Sequence, residues 1–107
     1  MEIDKKRFNK TLKEHKKKIA ALGKELKKGN KEQENLFAAI RGQSRELCLV
    51  NSNFKCEKCG EKEDLQIHHL IDRRSKKYMP FHKYVTQRYY WANQIILCSK
   101  YHQQFHE

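Results

Sequence analysis

Asn93-Gln-Ile-Ile-Leu-Cys98-Ser-Lys-Tyr-His102-Gln-Gln-Phe-His106 is the stretch on which the fold turns. Ile95, Ile96 and Leu97 form a short apolar run of β type. Cys98 follows directly, and then two histidines four residues apart. Positions i and i+4 share one face of a helix, so His102 and His106 can present their imidazoles to one metal ion. A pair of ligands makes a poor site. The partners stand upstream, in His68-His69 and Cys56-x-x-Cys59.

The rest of the chain sets the bounds. Its 107 residues suffice for one small domain and an appended helical arm. Hydrophobic residues make up 37% and charged residues 35%, a thin apolar supply that predicts a metal staple. The net charge of +11 is a footprint for polyanions, nucleic acid first and an anionic membrane surface second. No apolar run approaches the ~18 residues that crossing a bilayer needs. The N-terminus lacks the apolar core of a secretory signal. The expected compartment is the cytoplasm, with the four cysteines reduced; a disulfide framework is the weaker alternative.

Residues 1–31 carry twelve Lys or Arg against four Asp or Glu. Phe8, Leu12, His15, Ile19, Leu22 and Leu26 recur with heptad spacing, a helical seam with one polar member. Gly29-Asn30 should end this helix, and Asn30, with Gln33 three residues on, should cap a second running from Lys31 to about Cys48. Leu36, Phe37, Ile40 and Leu47 would be its buried side. Residues 1–48 thus read as a basic helical hairpin arm. It either grips DNA or pairs with a second copy as a homodimer, or its seam packs on its own domain.

Phe54-Lys-Cys56-Glu-Lys-Cys59-Gly60 is a knuckle whose thiolates can share one Zn²⁺, with Gly60 permitting the tight turn. A redox dithiol would need a βαβ setting, which is not visible. In Leu65-Gln-Ile67-His68-His69 apolar and polar residues alternate as in a strand. Consecutive histidines on a strand face opposite ways, so one can bind metal while its neighbour meets a different partner.

Residues 70–92 exceed ordinary loop length and should be functional or contain a helix. Pro80 suits a helix start, with Phe81 to Tyr90 as a short amphipathic helix. Arg73, Arg74, Lys76, Lys77, Lys83 and Arg88 are candidate phosphate contacts. The aromatic residues Tyr78, Phe81, Tyr84, Tyr89, Tyr90 and Trp91 either stack on bases or fill the small core.

The order Cys-x-x-Cys, His-His, Asn, Cys, His-x-x-x-His resembles the HNH nuclease family over residues 54–106. Asn93 stands nine residues before His102, which stands four before His106. The terminal His-x-x-x-His is similar to that of colicin DNase domains. Cys56, Cys59 and Cys98 resemble the branch in which four cysteines hold a structural zinc beside the active site. The resemblance implies an α+β fold: a ββα-metal domain over residues 49–107, with insert 70–92, preceded by the basic arm. It implies His69 as general base, and His68, His102 and His106 as ligands of a catalytic ion. Asn93 would tie down the loop that carries His69. The chain departs from the family at Tyr101, where the fourth zinc cysteine would stand. Cys48, His82 or water could complete that zinc.

The implied activity is metal-dependent hydrolysis of phosphodiester bonds of DNA, RNA not being ruled out, with 5′-phosphate and 3′-hydroxyl products. A neutral histidine near pH 7 can take a proton from water, and one divalent ion can bind a phosphate oxygen and the leaving oxygen. Histidine ligands favour Zn²⁺, Ni²⁺ or Mn²⁺ over Mg²⁺. The alternatives are a non-catalytic zinc module that binds nucleic acid, closed by Cys56, Cys59, Cys98 and His102, or a basic coiled-coil adaptor whose metal is only a staple.

Overall fold

The computed structural model describes residues 5–104, with side chains to His102. Helix α1 (Lys5–Lys27) and helix α2 (Glu34–Asn51) form an antiparallel pair. Strand β1 (Leu65–His69), a 3₁₀ turn (Arg73–Lys77) and helix α3 (Phe81–Tyr89) follow. A second 3₁₀ turn (Trp91–Asn93) leads into strand β2 (Gln94–Cys98) and helix α4 (Ser99–Gln104). Helices and a two-stranded antiparallel sheet in one chain bear out the α+β expectation. No described helix is long and apolar enough to cross a membrane.

The end of α1 follows from Gly29. Its φ of +93° is a backbone region that suits glycine, and it lets Gly29 N–H donate to Leu26 O and Asn30 N–H to Glu25 O. The expected cap at Asn30 does not form. Its side-chain amide donates to Glu25 Oε2 at 2.7 Å, back onto the helix it has just left. Helix α2 begins at Glu34, with Gln33 before it and no side-chain cap.

The heptad seam of α1 is packed within its own chain. Leu22 and Leu26 join Ile40 of α2 and Tyr84 and Val85 of α3 in one buried cluster, flanked by Ile19, Leu36, Phe37, Ile71, Met79 and Tyr89. Gly23 marks the closest approach: a Cβ there would sit 3.2 Å from Thr86 Cγ2 of α3. Further along, Phe8 meets Trp91 edge to face at 5.7 Å. The lysine-rich face of α1 stays in water.

His15 is fully buried in the seam. Its Nε2 accepts the Trp91 N–H at 3.1 Å, so Nδ1 carries the proton toward Gln43 Oε1 at 3.4 Å. The ring stacks on Tyr90. The polar member of the seam thus satisfies a main-chain donor of the turn before β2. Burial pushes the His15 imidazole below its ordinary value, against the opposing pull of the Gln43 hydrogen bond.

The antiparallel register pairs Leu65 with Cys98, Gln66 with Leu97, Ile67 with Ile96, His68 with Ile95 and His69 with Gln94. Ile96 turns its main chain away from β1. Its C=O accepts from Glu57 N–H at 2.9 Å, and its N–H donates to Glu57 Oε2 at 2.6 Å. The outer edge of β2 is thereby occupied by the knuckle and is not left as an open strand edge.

Leu22→Ala should destabilise the protein by ~2–5 kcal/mol, the cost of a cavity in a packed core. Denaturant melts of the two proteins measure it. Acid should also act through His15. Above pH ~6.5 the ring is neutral in both states and contributes no pH dependence. Below it the unfolded chain takes up a proton that the folded ring resists, so stability falls as pH falls. His15→Gln should flatten the fall in melting temperature between pH 7.5 and 5.5, on the order of the window opened by an ordinary histidine.

Candidate metal and histidine site

Cys56 sits in a turn closed by Cys56 N–H to Glu61 O at 2.7 Å and Gly60 N–H to Cys56 O at 2.9 Å, with Gly60 at φ +78°. This turn folds Cys59 back beside Cys56, and the Glu57 contacts press both against the end of β2. There Cys98 completes a group in which the three sulfurs all lie within 4.8 Å of one another. Cys59 Sγ and Cys98 Sγ are 3.6 Å apart. Sulfurs on one tetrahedral zinc stand about 3.8 Å apart, given Zn–S bonds of about 2.3 Å. The donor set and its spacing therefore fit a zinc ion. Among the described residues no other group of three or more His, Cys, Asp or Glu ligand atoms comes as close.

The electrostatics of the group suit thiolate formation at one member. Burial alone would raise the Cys56 thiol, but main-chain hydrogen bonds from Cys59, Cys98 and Lys58 bring it down to about 7. For Cys59 the main chain of Glu61 works toward the thiolate, yet desolvation and the neighbouring thiols outweigh it, and its value is raised. Bound Zn²⁺ would deprotonate the set outright.

Cys48 stands apart from this group. Its thiol, buried in α2, donates to Trp91 O at 3.2 Å, and burial followed by the charge of Glu57 pushes it up to about 12. Tyr101 packs against the buried cluster formed by Cys56, Leu97 and Cys98. His82 lies on α3, which packs against α1.

The histidines of β1 face opposite ways, as strand alternation requires. His68 meets His102 of α4, ring centres 5.6 Å apart and planes at 82°. Imidazoles sharing one tetrahedral ion would have ring centres about 5.3 Å apart, from metal–nitrogen bonds of about 2.1 Å and the size of the ring. The observed pair is edge to face at a similar separation. His106, the expected further ligand, lies outside the described residues.

His69 faces α3. Its Nδ1 donates to Arg88 O at 3.1 Å, which leaves Nε2 as the basic nitrogen, and its ring meets Tyr89 edge to face. Burial lowers its pKa; the Arg88 carbonyl opposes this, and the charges of Arg88, His68 and Arg73 lower it further.

Asn93 donates from Nδ2 to Gln87 O at 2.9 Å, and its own carbonyl accepts the N–H of Leu70, the residue after His69. It therefore binds the end of α3 to the end of β1. Gln94 was not foreseen from the sequence. It is buried beside His69 in the strand register, and its Nε2 donates to the same Arg88 carbonyl at 3.1 Å. Only its fixed place next to the Asn93 position could have drawn notice.

Arg73, Arg74, Lys76, Lys77 and Lys83 are exposed. Arg88 is turned inward, its Nη1 donating to Ile71 O at 2.6 Å. A groove of about 900 Å³ between α1, α2 and residues 53–55 contains none of these histidines or thiols, so its size does not mark the site.

Tyr101→Cys should place a fourth thiol beside the other three. Zinc affinity should rise about tenfold or more, equal to ~1.4 kcal/mol or more, with a matching rise in melting temperature because metal binding is linked to folding. Zinc stoichiometry and melting of both proteins, prepared with the same zinc supply, decide it. A parent that already holds a full, EDTA-resistant zinc, and a variant that gains nothing, would mean that a fourth ligand is in place.

Comparison of the chain with protein-family models, with curated proteins and with solved structures finds no match in any of the three.

Proposed function

We propose that this chain is an HNH-type endonuclease that hydrolyses phosphodiester bonds of DNA with one divalent ion. The observation that carries the reading is the division of labour in His68-His69. His68 meets His102 at a spacing suited to one ion, while His69 donates from Nδ1 to Arg88 O, which leaves Nε2 as the base. Two antiparallel strands followed by a helix that bears His102 support a ββα arrangement. Asn93 binds the segment just after His69, as a residue that aims the imidazole should.

In the reaction, His69 Nε2 takes a proton from the attacking water. The ion, held by His68, His102 and His106, would stabilise charge on the phosphoryl and leaving oxygens. The exposed cations after β1 would hold the phosphate backbone. The thiol group of Cys56, Cys59 and Cys98 would bind a separate structural zinc.

The second reading, a non-catalytic zinc module that binds nucleic acid, is favoured by the thiol group alone. The two readings separate in a plasmid-nicking assay with added Mn²⁺, Ni²⁺, Zn²⁺ or Mg²⁺, with and without EDTA. Metal-dependent nicking is expected, and His69→Ala should lower it about 10²–10⁴-fold, the usual worth of a general base, while DNA binding and zinc content persist. An undiminished rate in His69→Ala would end the proposed mechanism, and no nicking with any metal would leave the zinc module.

A further inference from the structure

The segment that leaves β1 is fixed at both ends and bare in between. Ile71 and Met79 pack against the buried cluster of α1, α2 and α3. Arg88 Nη1 holds Ile71 O, and Asp72 Oδ1 accepts the N–H of Arg74 at 2.8 Å, capping the 3₁₀ turn. Tyr78 N–H closes the turn on Ser75 O at 3.0 Å. Pro80 follows Met79 and restricts its backbone further. Between these anchors Arg73, Arg74, Lys76 and Lys77 are exposed, and Tyr78 is 85% exposed.

A single exposed tyrosine is ordinary. This one stands at the end of a pinned turn, among four cations, and the nearby acid, Asp72, is already engaged by Arg74. Phe81, the next exposed aromatic in sequence, differs from Tyr78 in that the Lys31 ammonium lies over its ring, 5.7 Å from the centroid. The surface is also tied to the histidine. Arg88 grips the start of the turn with its side chain and takes His69 Nδ1 on its carbonyl. A nucleic acid bound on the turn would therefore be placed against a part of the chain rigidly joined to the candidate base.

We infer that Tyr78 is a stacking platform for an unpaired base, flanked by phosphate-binding Arg and Lys, and that the substrate class is nucleic acid carrying single-stranded or unpaired nucleotides. This rests on the nucleic-acid part of the proposed function and not on its chemistry. In a duplex the faces of the bases are covered by their neighbours, and the cations alone would suffice to grip the backbone. An exposed aromatic ring gains stacking from a base only where that base is itself unstacked, and such stacking tolerates any sequence. The cations supply the salt-dependent share of the grip.

The test is anisotropy of the full chain, zinc-loaded and carrying His69→Ala to prevent cleavage, with a fluorescein-labelled oligothymidylate strand and a duplex of equal length. The single strand should bind more tightly than the duplex at the same salt. Tyr78→Ala should weaken single-strand binding about tenfold and duplex binding less than twofold, and Tyr78→Phe should retain it. Lys76→Gln combined with Lys77→Gln should weaken both ligands and lower the salt slope. An unchanged single-strand affinity in Tyr78→Ala overturns the inference, as does an equal loss on the duplex. Tyr78-dependent binding to phosphatidylserine vesicles in place of the strand overturns it too. Tyr78-dependent strand binding without nicking under any metal would remove the nuclease reading and leave this one standing. Nicking of duplex plasmid with strand binding indifferent to Tyr78 would do the reverse.

Discussion

The carbonyl oxygen of Arg88, at the end of α3, is the point on which the candidate site depends. It accepts from His69 Nδ1 on β1 and from Gln94 Nε2 on β2, both at 3.1 Å. A carbonyl has two lone pairs, and here both are used. The bond to His69 fixes which nitrogen carries the proton, and with it which nitrogen is left to act as a base. Through its guanidinium the same residue holds Ile71. One arginine thus sets the tautomer of an imidazole and the course of the chain that leaves it. Burial lowers the pKa of that imidazole, the Arg88 carbonyl opposes the shift, and the Arg88 charge adds to it.

Residues 90–94 carry the load onward. Trp91 N–H is taken by His15 from α1, Trp91 O by Cys48 from α2, and Asn93 O by Leu70 next to β1. A single-turn 3₁₀ segment has few internal hydrogen bonds of its own, so it relies on these outside partners to be satisfied. The basic hairpin is for that reason part of the fold that positions the histidines, as well as a carrier of charge. Its seam is buried, and its lysine face is exposed.

Much of this was legible in the sequence because it rests on local rules. The heptad seam, the Gly29 stop, the alternation in Leu65–His69 and the short helix from Phe81 each follow from spacing and backbone preference. The clustering of Cys56, Cys59 and Cys98 also follows, since a knuckle and a strand-end thiol have one natural meeting place. Of the aromatics in 70–92, Tyr84 is buried, Tyr89, Tyr90 and Trp91 are half-buried, and Tyr78 and Phe81 are exposed. What spacing could not reveal depends on contacts distant in sequence. Nothing near Asn30 announces that its amide will turn back to Glu25. Nothing near Arg88 separates it from the exposed cations around it, and nothing in Gln94 foretells burial. Cys48 was a candidate zinc ligand by elimination, and its bond to Trp91 O, forty-three residues away, could not be read locally.

The two halves of the site share one short path, Cys98 to His102, and this makes the thiols matter to the histidines. Helix α4 begins at Ser99 and is six residues long, too short to hold its shape by internal bonds alone. Its start is fixed by Cys98 at the end of β2, and Tyr101 packs back on the thiol cluster. The apolar support there is slight: Leu97 is fully buried, with Leu65, Ile95 and Tyr101 partly so. The knuckle from Cys56 to Asp64 supplies no aliphatic side chain to thicken it. A zinc ion on the sulfurs would fasten the knuckle, the end of β2 and the first residue before α4 to one point, replacing apolar area that this part of the chain lacks. Ligation at Cys98, one helical turn before His102, would help to hold His102 toward His68. On the nuclease reading, loss of the structural ion would loosen the catalytic one without touching any of its ligands.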